Sequence, residues 1–295
     1  MRTSLASAYG RRAVAQGWLY LIPAVLFFAL FIAYPLVANL IGSLQGHRGG
    51  FALQNYQNLF RDPIFWTALK NSLIWVVLTL AIQMVLGFVL ALLIEAYLVK
   101  GRALFRTLLF LPMVITPSVI AIVFTTLYAP DYGLLYGIFA RLGLANAFPA
   151  LLGTPNTATL ALILVNAWQW TGFFVLLYSV GIAQVDRELL DAAEIDGIRG
   201  FGRIRYLFLP LVRPTHITLL VLGTLQALQQ FPLIYLMTQG GPANSSQVLA
   251  TYIFQVGFVE NDMRYASAIS IVLFAVAVIL VAAEYLLTRE RPSRA

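Results

Sequence analysis

Two groups of side chains in this sequence have types and spacings suited to chemistry. The first is a run of charge at 186–210, DRELLDAAEIDGIRGFGRIRYLFLP, with Asp186, Glu188, Asp191, Glu194 and Asp196 ahead of Arg199, Arg203 and Arg205, and Arg187 near its start. The second is a set of amides inside apolar stretches: Gln83, then Asn166 and Gln169 beside Trp168, Trp170 and Phe173, then Gln226, Gln229 and Gln230. Amides donate and accept hydrogen bonds, and aromatic faces stack on the C–H surfaces of sugar rings. This second set therefore suits an uncharged, hydroxyl-rich ligand better than an ion. Amides also glue membrane helices together and tryptophans anchor them at interfaces, so both readings stand for each residue.

Bond-making chemistry is poorly served. The chain has no cysteine, and its histidines, His47 and His216, stand far apart near opposite faces, which assigns no metal site. There is no H-E-x-x-H and no G-x-x-x-x-G-K-[ST]; GIRGFGR lacks both the spacing and the lysine, and Lys70 and Lys100 lie outside glycine loops. No catalytic residue and no cofactor is assigned to this chain.

The elements that must position these groups are membrane helices. At 60% hydrophobic and 11% charged, the sequence is far more apolar than a soluble fold, for which about 45–50% and about 25% are usual. A helix crosses a bilayer core with about 20 mainly apolar residues. Six stretches qualify, near 17–44, 73–98, 103–129, 158–184, 211–236 and 268–287. The first is too long for a secretory signal and has no cleavage site after it, so a retained helix is expected. Pro35, Pro112, Pro117 and Pro232 are expected to bend helices or mark their limits. The expected organisation is all-α: a cytoplasmic segment at 1–16, a six-span transmembrane domain at 17–288, and a cytoplasmic tail at 289–295.

Positive charge sets the orientation. Arg2, Arg11 and Arg12, then Lys100, Arg102 and Arg106, then the 186–213 arginines, and finally Arg289, Arg291 and Arg294 fall on one side. Only Arg48, Arg61, Lys70, Arg141 and Arg264 fall on the other. Both termini and the charged loop are therefore expected in the cytoplasm. The net charge of +7 is a topology signal, and no nucleic-acid partner is needed to explain it. Glu95 and Glu284 lie near the cytoplasmic ends of their spans and read as boundary residues.

Within the loop, Asp186 is placed as an N-cap with Glu188 in the first turn. Leu189, Leu190 and Ala193 form a small apolar face and Gly197 offers a stop, while Phe201, Ile204 and Phe208 recur at helical spacing up to Pro210. The expectation is helix, glycine turn, second short helix, then the fifth span. Two readings remain: a solvated loop whose charges anchor two spans, or a docking surface whose apolar edge and charged rim seat in a partner.

Asp191-Ala192-Ala193, three residues, Gly197, nine residues, Leu207, one residue, then Leu209-Pro210 resembles the EAA loop of binding-protein-dependent ABC importer permeases, with Asp for the usual Glu and Leu for the usual Ile. The segments 49–73, 236–258 with its Gly240-Gly241-Pro242, and YASAIS at 265–270 are similar, in the same order, to the carbohydrate branch of that family. The resemblance implies a type I importer permease fold in a bacterial or archaeal cytoplasmic membrane. It implies a second related permease, two ATPase subunits that carry ATP and Mg, and an external solute-binding protein as partners. It would place the ATPase contact at Glu188, Asp191, Ala192, Ala193, Asp196, Gly197 and Pro210, and binding-protein docking at Gly240, Gly241 and Pro242. The substrate pathway is expected at Gln83, Asn166, Trp170, Phe173, Gln226 and Gln230; Asn166 and Gln230 fall where the maltose permease carries amides. A membrane enzyme, a stand-alone secondary transporter and a permease for a non-sugar solute are the competing classes. The second would call for mid-span carboxylates or repeated halves, and neither is read here.

Overall fold

The computed structural model describes residues 18–46, 50–97, 100–144 and 149–288. Among these residues the secondary structure is helical, and the one β-type contact is an isolated bridge between Gln45 and Phe51. In chain order the helices begin with α1 (Trp18–Ser43), α2 (Gln54–Arg61), α3 (Pro63–Ala96), α4 (Arg102–Val114), α5 (Pro117–Leu127) and α6 (Leu134–Arg141). They continue with α7 (Pro155–Ala183), α8 (Arg187–Ile195), α9 (201–211), α10 (Arg213–Leu228), α11 (Pro232–Thr238), α12 (Leu249–Val259) and α13 (Met263–Thr288).

Five elements are long and apolar enough to cross a bilayer: α1, α3, α7, the α10–α11 pair and α13. The stretch read as a third continuous span is two helices, α4 and α5, meeting at 92°, and it makes a sixth crossing only if the pair counts as one. The cause is local. Pro112 lacks an N–H, and Pro117 holds Thr116 in an extended conformation (φ −62°, ψ 144°) that ends the helix. The segments assigned to the two termini, with their arginines, and His47 and Arg48 lie outside the described residues.

Two spans begin earlier than hydropathy indicates. Asp62 accepts a bond from Ile64 N (2.8 Å) ahead of Pro63, so α3 starts in a polar stretch that a hydropathy window excludes. Asp262 Oδ1 likewise accepts from Tyr265 N (3.0 Å) at the start of α13. In α1, residues Ala29–Ala33 widen into a π-turn just before Pro35, whose ring would otherwise press on the preceding turn.

The centre is the α3–α7 pair, with α4 against α7, α10 against α3 and α13, and α13 against the second half of α1. Trp75, Phe174, Tyr178, Leu162 and Leu219 are buried among these helices. Gly172 permits the α4–α7 approach: a Cβ there would lie 1.9 Å from Leu109 O. The apolar stretch of α1 has no buried residue, as befits a helix whose solvent is lipid. His216 is not isolated, for its Nδ1 shares a 2.6 Å hydrogen bond with Tyr178 Oη between α10 and α7. At the opposite end from α8, a smaller core joins Leu59, Phe65, Tyr252 and Ile269, where Asp62 accepts hydrogen bonds from Tyr252 Oη and Tyr265 Oη.

Candidate functional site

A bilayer leaves no water to satisfy free backbone groups, so breaks in membrane helices must be compensated by protein or open onto a cavity. Both happen here. Between α4 and α5 the Ile115 carbonyl accepts a 3.3 Å bond from Gln169 Nε2 on α7. Between α10 and α11, residues Gln229 to Phe231 leave the helical path before Pro232 restarts it. The two breaks meet at one cavity of about 480 Å³, whose walls include Pro117 from the first, Gln229, Gln230 and Pro232 from the second, and Gln169, Trp170 and Phe173 from α7.

The cavity wall carries amides and aromatic rings, and none of its side chains is ionisable. Trp170 and Phe173 stand edge to face at 6.3 Å. Gln226 Nε2 reaches Gln230 Oε1 at 3.4 Å, while Gln226 Oε1 is buried with no partner among the described residues. Such a wall can stack on an apolar face and bond hydroxyls, and it offers nothing to neutralise an ion.

The residues read as a substrate pathway separate into two sets. Trp170, Phe173, Gln226 and Gln230 line the cavity. Gln83 and Asn166 do not: both are fully buried, and Gln83 Nε2 donates to Asn166 Oδ1 at 3.2 Å across the α3–α7 contact. They occupy the position of helix glue. Gln169 and Gln229 line the cavity as well, although neither was placed in the pathway. Gln229 stands just ahead of Pro232, a signal the sequence offers. Gln169 is far from any proline in sequence, and only packing brings it to the α4–α5 break.

At 186–210 the structure has helix, turn and helix. Asp186 occupies the N-cap position of α8, but its side chain accepts no capping bond. The turn closes firmly: Gly197 N bonds Glu194 O at 3.1 Å and Ile198 N bonds Ala193 O at 2.8 Å, with Gly197 at φ +76°. This paired arrangement ends a helix on a left-handed residue, which glycine adopts without a Cβ clash. Glu188, Asp191, Ala192, Asp196, Gly197 and Pro210 are exposed. Ala193 does not share that surface, because it turns inward with Leu190 and is 6% exposed. The apolar edge also differs from the expected one. Phe208 is buried, whereas Phe201 and Ile195 are 74% and 87% exposed. Ile195 was missed because it stands off the stripe of Leu189, Leu190 and Ala193 and belongs to no apolar repeat.

The Gly240-Gly241-Pro242 segment is a packed turn. Gly240 is buried and the other two residues are half-buried. Ser246 Oγ donates to Gly241 O (2.6 Å), and Asn71 Nδ2 ties the following strand of chain to α3 through Ser245 O and Gln247 O (2.8 and 2.9 Å). Of this turn Gln239 and Ala243, on either side of the three residues, are exposed.

Comparison with known proteins extends this picture. The lactose transport system permease protein of Rhizobium radiobacter is 30% identical over 298 residues, spanning 99% of this chain and all of that protein. A probable ABC transporter permease protein of Bacillus subtilis is 34% identical over 270 residues, 89% of this chain and 92% of the relative. The trehalose/maltose transport system permease protein of Thermococcus litoralis is 29% identical over 93% of this chain and 94% of its own length. A chain of the crystal structure of a bacterial alginate ABC transporter, in complex with an alginate pentasaccharide-bound periplasmic protein, superposes with a TM-score of 0.85 at 25% identity, covering 94% of this chain and 96% of that one. Residues 83–291 match the family described as binding-protein-dependent transport system inner membrane component. The family match, the relatives at 30% identity or more and the full-length superposition agree: the chain is a multi-pass inner-membrane permease of that ABC transporter family.

Proposed function

We propose that this permease carries an uncharged sugar or oligosaccharide through an ATP-driven importer, of which it forms half of the pathway. One observation carries the proposal: two helix breaks converge on a cavity walled by Trp170, Phe173, Gln226, Gln229 and Gln230, without an ionisable side chain. Relatives named for lactose and for trehalose/maltose support the carbohydrate class. The uncharged wall favours a neutral sugar over a uronate or a phosphate ester, since a buried anion requires a paired cation.

In this reading the α4–α5 pair is one crossing, so the domain at 17–288 has six spans with both termini cytoplasmic. The chain pairs with a second permease, and two ATPase subunits supply ATP and Mg chemistry that it lacks. The loop at 186–210 seats in an ATPase through Glu188, Asp191, Ala192, Asp196 and Gly197, with Ile195 and Phe201 as apolar anchors. Ala193 acts from beneath, by letting α8 lie close to its support. ATPase closure pushes α8, the locked turn carries the push to α9, and Pro210 passes it to α10, which bears cavity residue Gln226. Delivery by a solute-binding protein occurs at the opposite face, near Gly240, Gly241 and Pro242.

The test is co-purification of the tagged chain from its native membranes, followed by mass spectrometry. A P-loop ATPase and a second multi-span chain should be retained, and the ATPase lost when 186–210 is replaced by a neutral linker. A chain that comes away alone and transports in liposomes without ATP overturns the reading.

A further inference from the structure

Four aromatic rings on α11 and α12 form a ladder that starts where the cavity ends. Phe231 lies in the α10–α11 break, directly between Gln230 and Pro232, which are both cavity walls. Its ring stacks on Tyr235, one turn further along α11, with centroids 5.2 Å apart and planes within 18°. Phe254 of α12 meets both rings, at 5.1 and 4.9 Å, and stacks in turn on Phe258 at 5.4 Å. None of the four is buried, and Phe258 is 62% exposed. The ladder therefore runs from the rim of the cavity toward the end opposite α8, where Val256 of α12 joins the smaller core. Lipid accepts exposed rings, but it does not suit what stands at either end of these. At one end is a broken helix, whose backbone calls for protein or a cavity beside it. At the other, Gln255 Nε2 donates to Glu260 Oε1 (3.0 Å) in an exposed bond beside Phe258, and a carboxylate there calls for water.

We propose that the ladder is a second saccharide subsite. It holds the trailing rings of a linear, uncharged saccharide of two or more rings while the leading ring lies in the cavity. Neighbouring centroids are separated by roughly the length of a pyranose ring, so successive sugar rings each meet an aromatic face. Such faces stack on C–H surfaces and leave the hydroxyls unfixed, which lets a saccharide pass from one ring to the next. Amides that can fix hydroxyls stand only at the far end, where Gln226, Gln229 and Gln230 line the cavity. The ladder thus guides and the cavity holds. The inference rests on the sugar reading of the cavity.

The chain has no cysteine, so a single introduced thiol reports on its own position. The experiment places the full chain, with the subunits that co-purify, in lipid nanodiscs and follows modification by a membrane-impermeant methanethiosulfonate. F254C and F258C should react, because a thiol in contact with water ionises, whereas I279C, exposed on apolar α13, should not. A mixture of maltose, maltotriose, lactose and trehalose should slow both reactions about threefold or more, as sites fill, and glucose should not. Phe258 is exposed, so F258C keeps the test valid should F254C misfold. Thiols as inert as that of I279C would put the rings against lipid or another subunit and overturn the proposal. Reaction that the mixture does not slow, or that glucose slows equally, overturns it as well. The readout uses neither ATP nor import. A ladder that fails while the ATPase is still retained leaves the importer reading intact, and protection that persists where no ATPase is retained leaves the ladder standing.

Discussion

The cavity and the charged loop are the two polar interruptions of an oily chain, and they are polar in opposite ways. The cavity turns uncharged amides inward, among aromatic rings and beside broken helices. The loop turns carboxylates outward, around the exposed Ile195 and Phe201. The difference follows from the solvent each region meets. At membrane depth an unpaired charge is expensive and an amide is tolerable. Beyond the bilayer charge costs little, and an exposed isoleucine is the unusual residue.

The contrast can be broken by exchanging the two kinds of chemistry. The largest effect is expected at the loop, where Ile195→Asp, Asp191→Lys or Gly197→Pro should each lower ATP-dependent import at least about a hundredfold while membrane insertion is unchanged. Proline is held near φ −65° and cannot take the +76° of Gly197. Normal import by all three variants in vesicles would remove the docking role. Next come Trp170→Ala and Gln226→Ala, each expected to weaken import about tenfold, or ~1.4 kcal/mol, at unchanged expression. Uptake of labelled neutral sugar with an acidic sugar as competitor reads this, and wild-type rates in both variants would argue that the sugar passes elsewhere.

Smaller effects sharpen the line between wall and glue. Gln169→Leu leaves Ile115 O without its donor and should cost about 1–3 kcal/mol of stability, measured as a fall in the melting temperature of the detergent-solubilised chain. Gln83→Leu and Asn166→Leu should each cost about 0.6 kcal/mol, with import nearly unchanged, as for an average interhelical hydrogen bond. If import collapses while stability holds, this pair belongs to the pathway.

Five spans were legible because hydropathy decides what lipid accepts, while the third stretch hides a 92° bend from it; the proline irregularities were legible because proline acts through its own bonds. Starts at Pro63 and Met263 were not, since a capped polar turn looks like loop to a hydropathy window. Trp170, Phe173, Gln226 and Gln230, distant in sequence, come together at one cavity wall. Gln83 and Asn166 show the limit of that reasoning: sequence puts an amide at a depth, and only packing decides whether it meets a cavity or another amide. Ala193 was read as part of the contact face yet packs inward for the same reason, because a helix nine residues long has no face until something is laid against it.

The Gln169–Ile115 bond also orders the birth of the protein. The carbonyl at the α4–α5 break finds its donor 54 residues further along the chain, on α7. During synthesis the bent pair cannot settle in lipid by itself, because its open backbone group would face hydrocarbon. The bent pair and α7 are therefore expected to settle in the bilayer together, since the break is satisfied only when α7 lies beside it.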